Sequence, residues 1–191
     1  MPDEVEIKFL VRDPAALQEK LRAAGFHQKT PRTFEQNTLY DNGQRQLQKS
    51  GELLRLRRYG DKWTLTHKAK GASGVHKTRR ETETRVEDGG STHAILAALG
   101  FEPGFRYEKF REEWSDGRGQ VVLDETPIGN IAEIEGPPEW IDQTAAALKV
   151  NREQYLTTNY AQMFFDWKKR TGSKASEMTY AAVTGRTPDH G

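Results

Sequence analysis

Charged and large apolar side chains alternate, residue by residue, in several separate stretches of this chain. No other feature constrains its fold as much. Successive side chains of a strand point to opposite faces. In residues 4–9 one face carries Val5, Ile7 and Phe9 and the other Glu4, Glu6 and Lys8. Arg55 and Arg57 stand opposite Leu54 and Leu56; Lys62, Thr64, Thr66 and Lys68 stand opposite Trp63, Leu65 and His67. Arg79, Glu81 and Glu83 share a face, as do Lys109, Arg111 and Glu113, the latter set opposite Phe110 and Trp114. Asp124 lies opposite Leu123, and Glu133 and Glu135 lie opposite Ala132 and Ile134. Burying a large apolar side chain is worth about 1.5–3 kcal/mol, so the apolar faces belong beneath covering helices. The charged faces then point the other way, which in a closed sheet is the lumen.

The connecting segments agree with hairpins. Gly60-Asp61 is a two-residue turn between strands at 53–59 and 62–68, and residues 116–119 join strands at 107–114 and 120–126. Further strands are expected at 33–40, 76–86 and 128–136, with residues 71–74 as a connecting loop. Asp13 and Pro14 open a helix that Gly25 ends; Ser91 caps a second helix ended by Gly100. Residues 141–148 and most of 151–170 read as helical, the latter with Tyr155, Leu156, Tyr160, Met163, Phe164 and Trp167 on its apolar side and Lys168, Lys169 and Arg170 at a solvated end. The expected fold class is α+β and mainly antiparallel: an eight-stranded closed β-barrel or tunnel with a charged lumen, flanked by helices. Residues 1–170 form that domain, and 171–191 read as a mobile polar tail.

Composition narrows the chemistry. Of 191 residues 30% are charged, yet the net charge is only +1. No bulk field favours nucleic acid or an acidic membrane. There is no cysteine, which excludes disulfides, thiolate catalysis and Cys–zinc sites. The five histidines lack zinc-like spacing, and no Gly-rich phosphate loop or dinucleotide fingerprint occurs. No apolar run approaches membrane-spanning length, and the acidic N-terminal stretch enters a strand directly, so a cytoplasmic location is the expectation.

A lumen of both signs is costly unless its charges are paired or bound to ligand. Its acids would be Glu4, Glu6, Glu81, Glu83, Asp124, Glu133 and Glu135, and its bases Lys8, Arg55, Arg57, Lys68, Arg79, Lys109 and Arg111. Carboxylates suit hard cations such as Mg2+ or Mn2+, while Arg and Lys clamp a polyanion. A triphosphate bridging the cations satisfies both zones. The alternative is an open sheet with a salt-bridged, solvated face.

These residues resemble the CYTH family, the triphosphate tunnel metalloenzymes, which include class IV (CyaB-type) adenylyl cyclases and thiamine triphosphatases. Glu4-x-Glu6-x-Lys8 is similar to the family's ExExK signature. Leu54-Arg55-Leu56-Arg57-Arg58, Thr64-Leu65-Thr66-His67-Lys68, Arg79-Arg80-Glu81-Thr82-Glu83, Lys109-Phe110-Arg111, Asp124 and Glu133-Ile134-Glu135 follow in the family's order. The resemblance covers about residues 2–165 and implies that Glu4, Glu6, Glu133 and Glu135 bind catalytic metal. Asp124, Glu81 and Glu83 would help to place metal or water. Lys8, Arg55, Arg57, Lys68, Arg79, Lys109 and Arg111 would hold phosphates. Glu4, Glu6, Lys8, Glu81 and Asp124 are the implied catalytic set. The Val-Glu-Ile-Lys-Phe form of the opening strand leans toward the CyaB type, which also implies a homodimer. Tyr40 is expected in the core or at the rim.

Three functions remain open on the sequence. One is cyclisation of ATP to cyclic AMP and pyrophosphate. Another is hydrolysis of tripolyphosphate, thiamine triphosphate or a nucleoside triphosphate. The third is a non-catalytic polyphosphate- or nucleotide-binding module. No base-recognition pocket is legible.

Overall fold

A computed structural model describes residues 3–188. Its strands are β1 (Asp3–Val11), β2 (His27–Asn42), β3 (Leu53–Tyr59), β4 (Lys62–Lys68), β5 (Ala72–Ser73), β6 (Lys77–Val86), β7 (Phe101–Ser115), β8 (Gln120–Thr126) and β9 (Gly129–Glu135). All pairings in the order β1-β9-β8-β7-β2-β3-β4-β6 are antiparallel, and β1 pairs again with β6 to close the ring. Eight strands therefore make the barrel. The two-residue β5, in the segment expected to be a plain loop, adds to β6 from outside the ring order.

The apolar faces point outward, as the alternation requires. Ile7, Phe9, Trp114, Val121, Leu123, Ala132 and Ile134 form one core with Leu17 and Leu21 of α1 (Pro14–Ala23) and Trp140, Ile141 and Ala145 of α4 (Pro138–Ala147). Leu54, Leu56, Trp63 and Leu65 pack against Leu96 of α3 (Gly89–Ala98). Asp13 caps α1 by accepting from the Ala16 amide at 3.0 Å. Asp88, not Ser91, caps α3: its carboxylate accepts from the Ser91 amide. Gly89 must be glycine, because a Cβ there would lie 2.5 Å from the Trp63 ring.

β2 and β7 are much longer than the alternation suggests, because their ends pair with each other beyond the reach of β8. The irregularities between Gln28 and Thr33 and at Leu39/Tyr40 break the period of two. A short helix, α2 (Gln46–Ser50), follows β2.

Two sheet edges are left uncovered by this closure, and the C-terminal segment covers both. Beyond its pairing with β6, β1 exchanges backbone hydrogen bonds with Leu156, Lys8 N–H to the Leu156 carbonyl at 2.9 Å and the reverse at 2.8 Å. Residues 151–159 are thus not helical as expected, apart from one 3-10 turn; the helix proper is α5 (Tyr160–Thr171). Beyond β8, the free edge of β7 is taken by Met178, which accepts from Glu108 N–H at 3.0 Å and donates to the Arg106 carbonyl at 3.1 Å.

The expected mobile tail from Thr171 is therefore corrected. Met178 is fully buried among Tyr107, Ile131 and Phe164. Tyr180, opening α6 (Tyr180–Thr184), packs its ring on Phe110 at 5.7 Å and donates to the Glu125 carbonyl at 2.8 Å. Burying an edge and a large apolar side chain outweighs the polar composition of this segment. Residues 189–191 of that expected tail, including His190, lie outside the described residues.

Candidate active site in the barrel lumen

The lumen is a cavity of about 870 Å³. Its acidic side is built by β1, β6 and β9. Glu6 stands opposite Glu135 in the β1–β9 register and opposite Lys77 in the β1–β6 register; Glu4 stands opposite Arg79, and Lys8 opposite Glu133. Lys68 bridges both oxygens of Glu4 at 2.7 Å and reaches Glu81 at 2.7 Å. Glu6 accepts from Lys77 at 2.9 Å and from Lys8.

Deeper in the wall is a dense, buried network. Asp124 accepts from Lys109 at 2.9 Å, from Arg111 at 2.6 and 2.8 Å, and from the Tyr160 hydroxyl. Glu133 accepts from Arg111 at 2.7 Å and Tyr160 at 2.9 Å, and pairs with Lys8 at 3.0 Å. Glu35 lies 3.4 Å from Lys109 and 3.7 Å from Arg111. Lys109 sits 4.5 Å from the Tyr160 ring centre, a cation–π contact of the kind that gains strength when desolvated.

These surroundings split the carboxyls by affinity for protons. Burial alone would raise Glu6, but Lys8 and Lys77 hold it at about 2 against the repulsion of Glu133. Glu35 is likewise held at about 2: burial opposes ionisation, and Lys109 and Arg111 overcome it. The same contest places Glu133 well below the usual carboxylate range, with Lys8 and Arg111 winning over burial. Glu135 goes the other way. Burial, then the charges of Glu4, Glu133 and Glu6, push it up to about 7. Lys68, already engaged by Glu4 and Glu81 at 2.7 Å, offsets this only in part. Burial, helped by the charges of Glu6 and Glu81, also raises Glu4 against the pull of Lys68.

The basic wall comes from β3, β4, β6 and β7. Arg57 donates to Glu83 at 3.0 and 3.3 Å. Arg55 is buried, but its carboxylate neighbours Glu81 and Glu83 stand back at 3.8 and 3.7 Å, and its Nε has no partner. Arg79 is turned to the Ala69 and Gly51 carbonyls at 2.7 and 2.9 Å.

The fold brings every sequence-predicted site residue to this lumen or its wall. Lys8, Arg55, Arg57, Lys68, Arg79, Lys109 and Arg111 line it with Glu4, Glu6, Glu81, Glu83, Glu133 and Glu135, and Asp124 lies just behind Lys109 and Arg111. Sequence reasoning missed four members. Lys77 was legible, two residues before Arg79 on the same face. Glu35 and Asn37 share a face too, but between Phe34 and Tyr40 the opposite face carries only Gln36 and Thr38, so the apolar contrast is weak. Tyr160 reads as one more residue of an apolar helix stripe; only the docking of α5 aims its hydroxyl inward. Tyr40 is buried outside the charged network, its hydroxyl 2.9 Å from His93 Nδ1.

No three histidine or acidic side chains of the described residues form a ready metal cage. The donor chemistry nonetheless fits a hard divalent cation. Glu4, Glu6 and Glu135 offer only oxygens, and the uncompensated Glu135 marks a build-up of negative charge that a cation relieves. Asp124 and Glu133 are already saturated by Lys, Arg and Tyr donors.

Residues 2–162 match the CYTH domain family. A Methanocaldococcus jannaschii protein named "Putative adenylate cyclase MJ0240" is 25% identical over 171 residues, 84% of this chain and 97% of its own. Among solved structures, a Vibrio parahaemolyticus protein described as a "putative adenylate cyclase" superposes with a TM-score of 0.77 at 19% identity, covering 86% of this chain and 98% of that one. A Hippeastrum protein, described as a "putative adenylyl cyclase" with a dominant triphosphatase activity, has a TM-score of 0.59 at 21% identity, covering 88% and 96%. Likeness at that identity carries the fold alone.

Proposed function

Because this chain belongs to the CYTH domain family, whose members are adenylate cyclases or triphosphatases, we propose that it is a divalent-metal-dependent adenylyl cyclase converting ATP to cyclic AMP and pyrophosphate. One observation carries the reading: a carboxylate set with one uncompensated member, Glu135, faces a basic wall with one unpartnered guanidinium nitrogen, Arg55 Nε. The lumen is close to charge-balanced, so a triphosphate anion enters at low cost only with compensating cations.

In this reading Glu4, Glu6 and Glu135 hold Mg2+ or Mn2+, and Glu81 borders them. The ion supplies charge neutralisation at phosphate oxygens. Lys68 and Lys77, which now neutralise Glu4 and Glu6, turn to phosphate oxygens when substrate and metal arrive. Arg55, Arg57, Lys109 and Arg111 hold the remaining phosphate charge, which grows on the leaving pyrophosphate as the α–β P–O bond breaks. Glu35, Asp124 and Tyr160 keep Lys109 and Arg111 in place. The 3′-hydroxyl oxygen forms the new bond to the α-phosphorus as pyrophosphate leaves, and its proton passes to solvent water.

The Methanocaldococcus relative's name favours cyclase, and so does Tyr40, whose hydroxyl is engaged by His93 rather than by a lumen lysine. The second reading is hydrolysis of a terminal phosphate, favoured by the activity described for the Hippeastrum neighbour. Incubation with ATP, tripolyphosphate and thiamine triphosphate, in Mg2+ and in Mn2+, separates them. Cyclic AMP with pyrophosphate is the expected outcome. Release of inorganic phosphate replaces cyclase by triphosphatase, and no turnover of any substrate leaves a binding module.

A further inference from the structure

Asp142, His76, Arg152 and Tyr155 meet on the outer side of the barrel wall, and none of the four lines the lumen. Asp142 Oδ1 lies 2.9 Å from His76 Nε2 and accepts from the Tyr155 hydroxyl at 3.4 Å, and its Oδ2 accepts from Arg152 at 2.7 Å. The contact with His76 is the more sheltered, since the His76 side chain is 15% exposed and that of Arg152 67%. Asp142 is firmly placed, because Trp140, Ile141 and Ala145 bury α4 against the barrel.

His76 matters for the residue that follows it. Lys77 opens β6, and it is the last residue that the ladder to β1 holds: the register runs from Asp3↔Arg80 to Glu6↔Lys77 and stops. On its other side Lys77 meets the two-residue β5, at Ser73. A strand end with so few backbone partners opens at little cost. The His76–Asp142 contact is a further tie, one residue beyond the ladder, and it joins the start of β6 to a buried helix. Inside the barrel, Lys77 donates to Glu6 at 2.9 Å. Lys8, the other lysine on Glu6, has anchors of its own in the β9 ladder and in Glu133, so Lys77 depends on this tie the more.

Resting on the triphosphate-tunnel reading above, we propose that Asp142 is a positioning residue for substrate binding: by holding His76 it fixes the start of β6, so that Lys77 presents its ammonium beside Glu6, where a phosphate of the substrate is received. Neither Asp142 nor His76 touches the substrate. Without their contact the ammonium is still present, but it is no longer held at the wall.

The test is equilibrium affinity of the full chain for inorganic tripolyphosphate, measured calorimetrically with Ca2+ in place of Mg2+. His76→Ala weakens binding about fivefold, the scale of coupling carried by a residue that touches no ligand. His76→Gln, whose side-chain amide donates to Asp142 in place of the imidazole, restores it. Lys77→Gln weakens binding by itself, and adding His76→Ala to it changes nothing more, because residues acting through one another are not additive. Hydrogen exchange over residues 77–79 of the ligand-free protein rises in His76→Ala and returns in His76→Gln. Full additivity of His76→Ala and Lys77→Gln overturns the proposal, since His76 then does not act through Lys77. Equal loss in His76→Ala and His76→Gln overturns it too, since the bond to Asp142 is then irrelevant. Unchanged affinity in His76→Ala does the same and leaves the tunnel reading standing. Wild-type protein that does not bind tripolyphosphate removes the tunnel reading, and this role with it.

Discussion

Glu6 and Glu135 face each other across the β1–β9 ladder with opposite affinities for a proton. Glu6 is held at about 2 by Lys8 and Lys77 against its burial, and Glu135 is pushed up to about 7 by burial and by its acidic neighbours. Adjacent carboxyls with one cation supply leave the second short of charge, a shortage that a divalent ion would meet in the proposed reading.

Glu135→Gln therefore abolishes metal-dependent turnover and stabilises the metal-free fold. Glu135's pKa is raised from an ordinary value of 4.5 to about 7. Such a group costs nothing below 4.5, its penalty grows as pH rises between the two values, and the full penalty applies above 7. With EDTA present, urea unfolding at pH 8 should show the variant about 1–3 kcal/mol more stable than wild type, with little difference at pH 4. Glu6→Gln also abolishes turnover, but destabilises, because it leaves Lys8 and Lys77 short of an anion. Full activity in both variants would sink the metal assignment.

Glu35 contributes to the acid limb together with Glu6 and Glu133. Its pKa is depressed to about 2 by Lys109 and Arg111, so its stabilisation is fully present above about 4.5 and is lost as pH falls toward 2. Glu35→Gln should lower stability at pH 7 by about 3 kcal/mol and flatten the melting-temperature profile between pH 5 and 2. An unchanged acid slope contradicts the pairing.

Tyr160→Phe keeps the ring, which stacks on Tyr107 at 5.5 Å and 16°, and removes only the hydroxyl shared by Asp124 and Glu133. A loss of about 1–3 kcal/mol is expected for two buried acceptors deprived of a donor. Denaturant titration at pH 7 measures it. A neutral effect would mean that Lys109, Arg111 and Lys8 satisfy both acids without help.

Met178→Ala empties a fully buried position and should cost about 2–5 kcal/mol. Ending the chain after Gly172 goes further and leaves the β7 edge at residues 106–108 without a partner. Light scattering at rising concentration should show that the truncated protein self-associates while Met178→Ala does not. A truncated chain as stable and monodisperse as wild type would contradict this role for the segment.

The alternation of Glu4, Glu6 and Lys8 with Val5, Ile7 and Phe9, repeated along the other strands, already carries the inverted barrel, because a period of two leaves large apolar side chains one place to go. The lumen set follows from the same parity, and Lys77 shares it, two residues before Arg79. Glu35 is harder, since its strand has little apolar contrast and irregular register. Tyr160 and the docking of residues 173–184 were not legible at all, because a helix stripe and a polar segment look alike wherever they land.

By itself, then, the sequence determined which side chains share the lumen, since strand parity is a local property of the backbone. Only the tertiary structure decided which charges meet. Strand order and stagger put Glu135 beside Glu6 without a lysine of its own, placed Tyr160 between Asp124 and Glu133, and brought Phe105 and Phe165 together at one mouth. Those distances depend on barrel closure and on α5, and neither is encoded within any single strand.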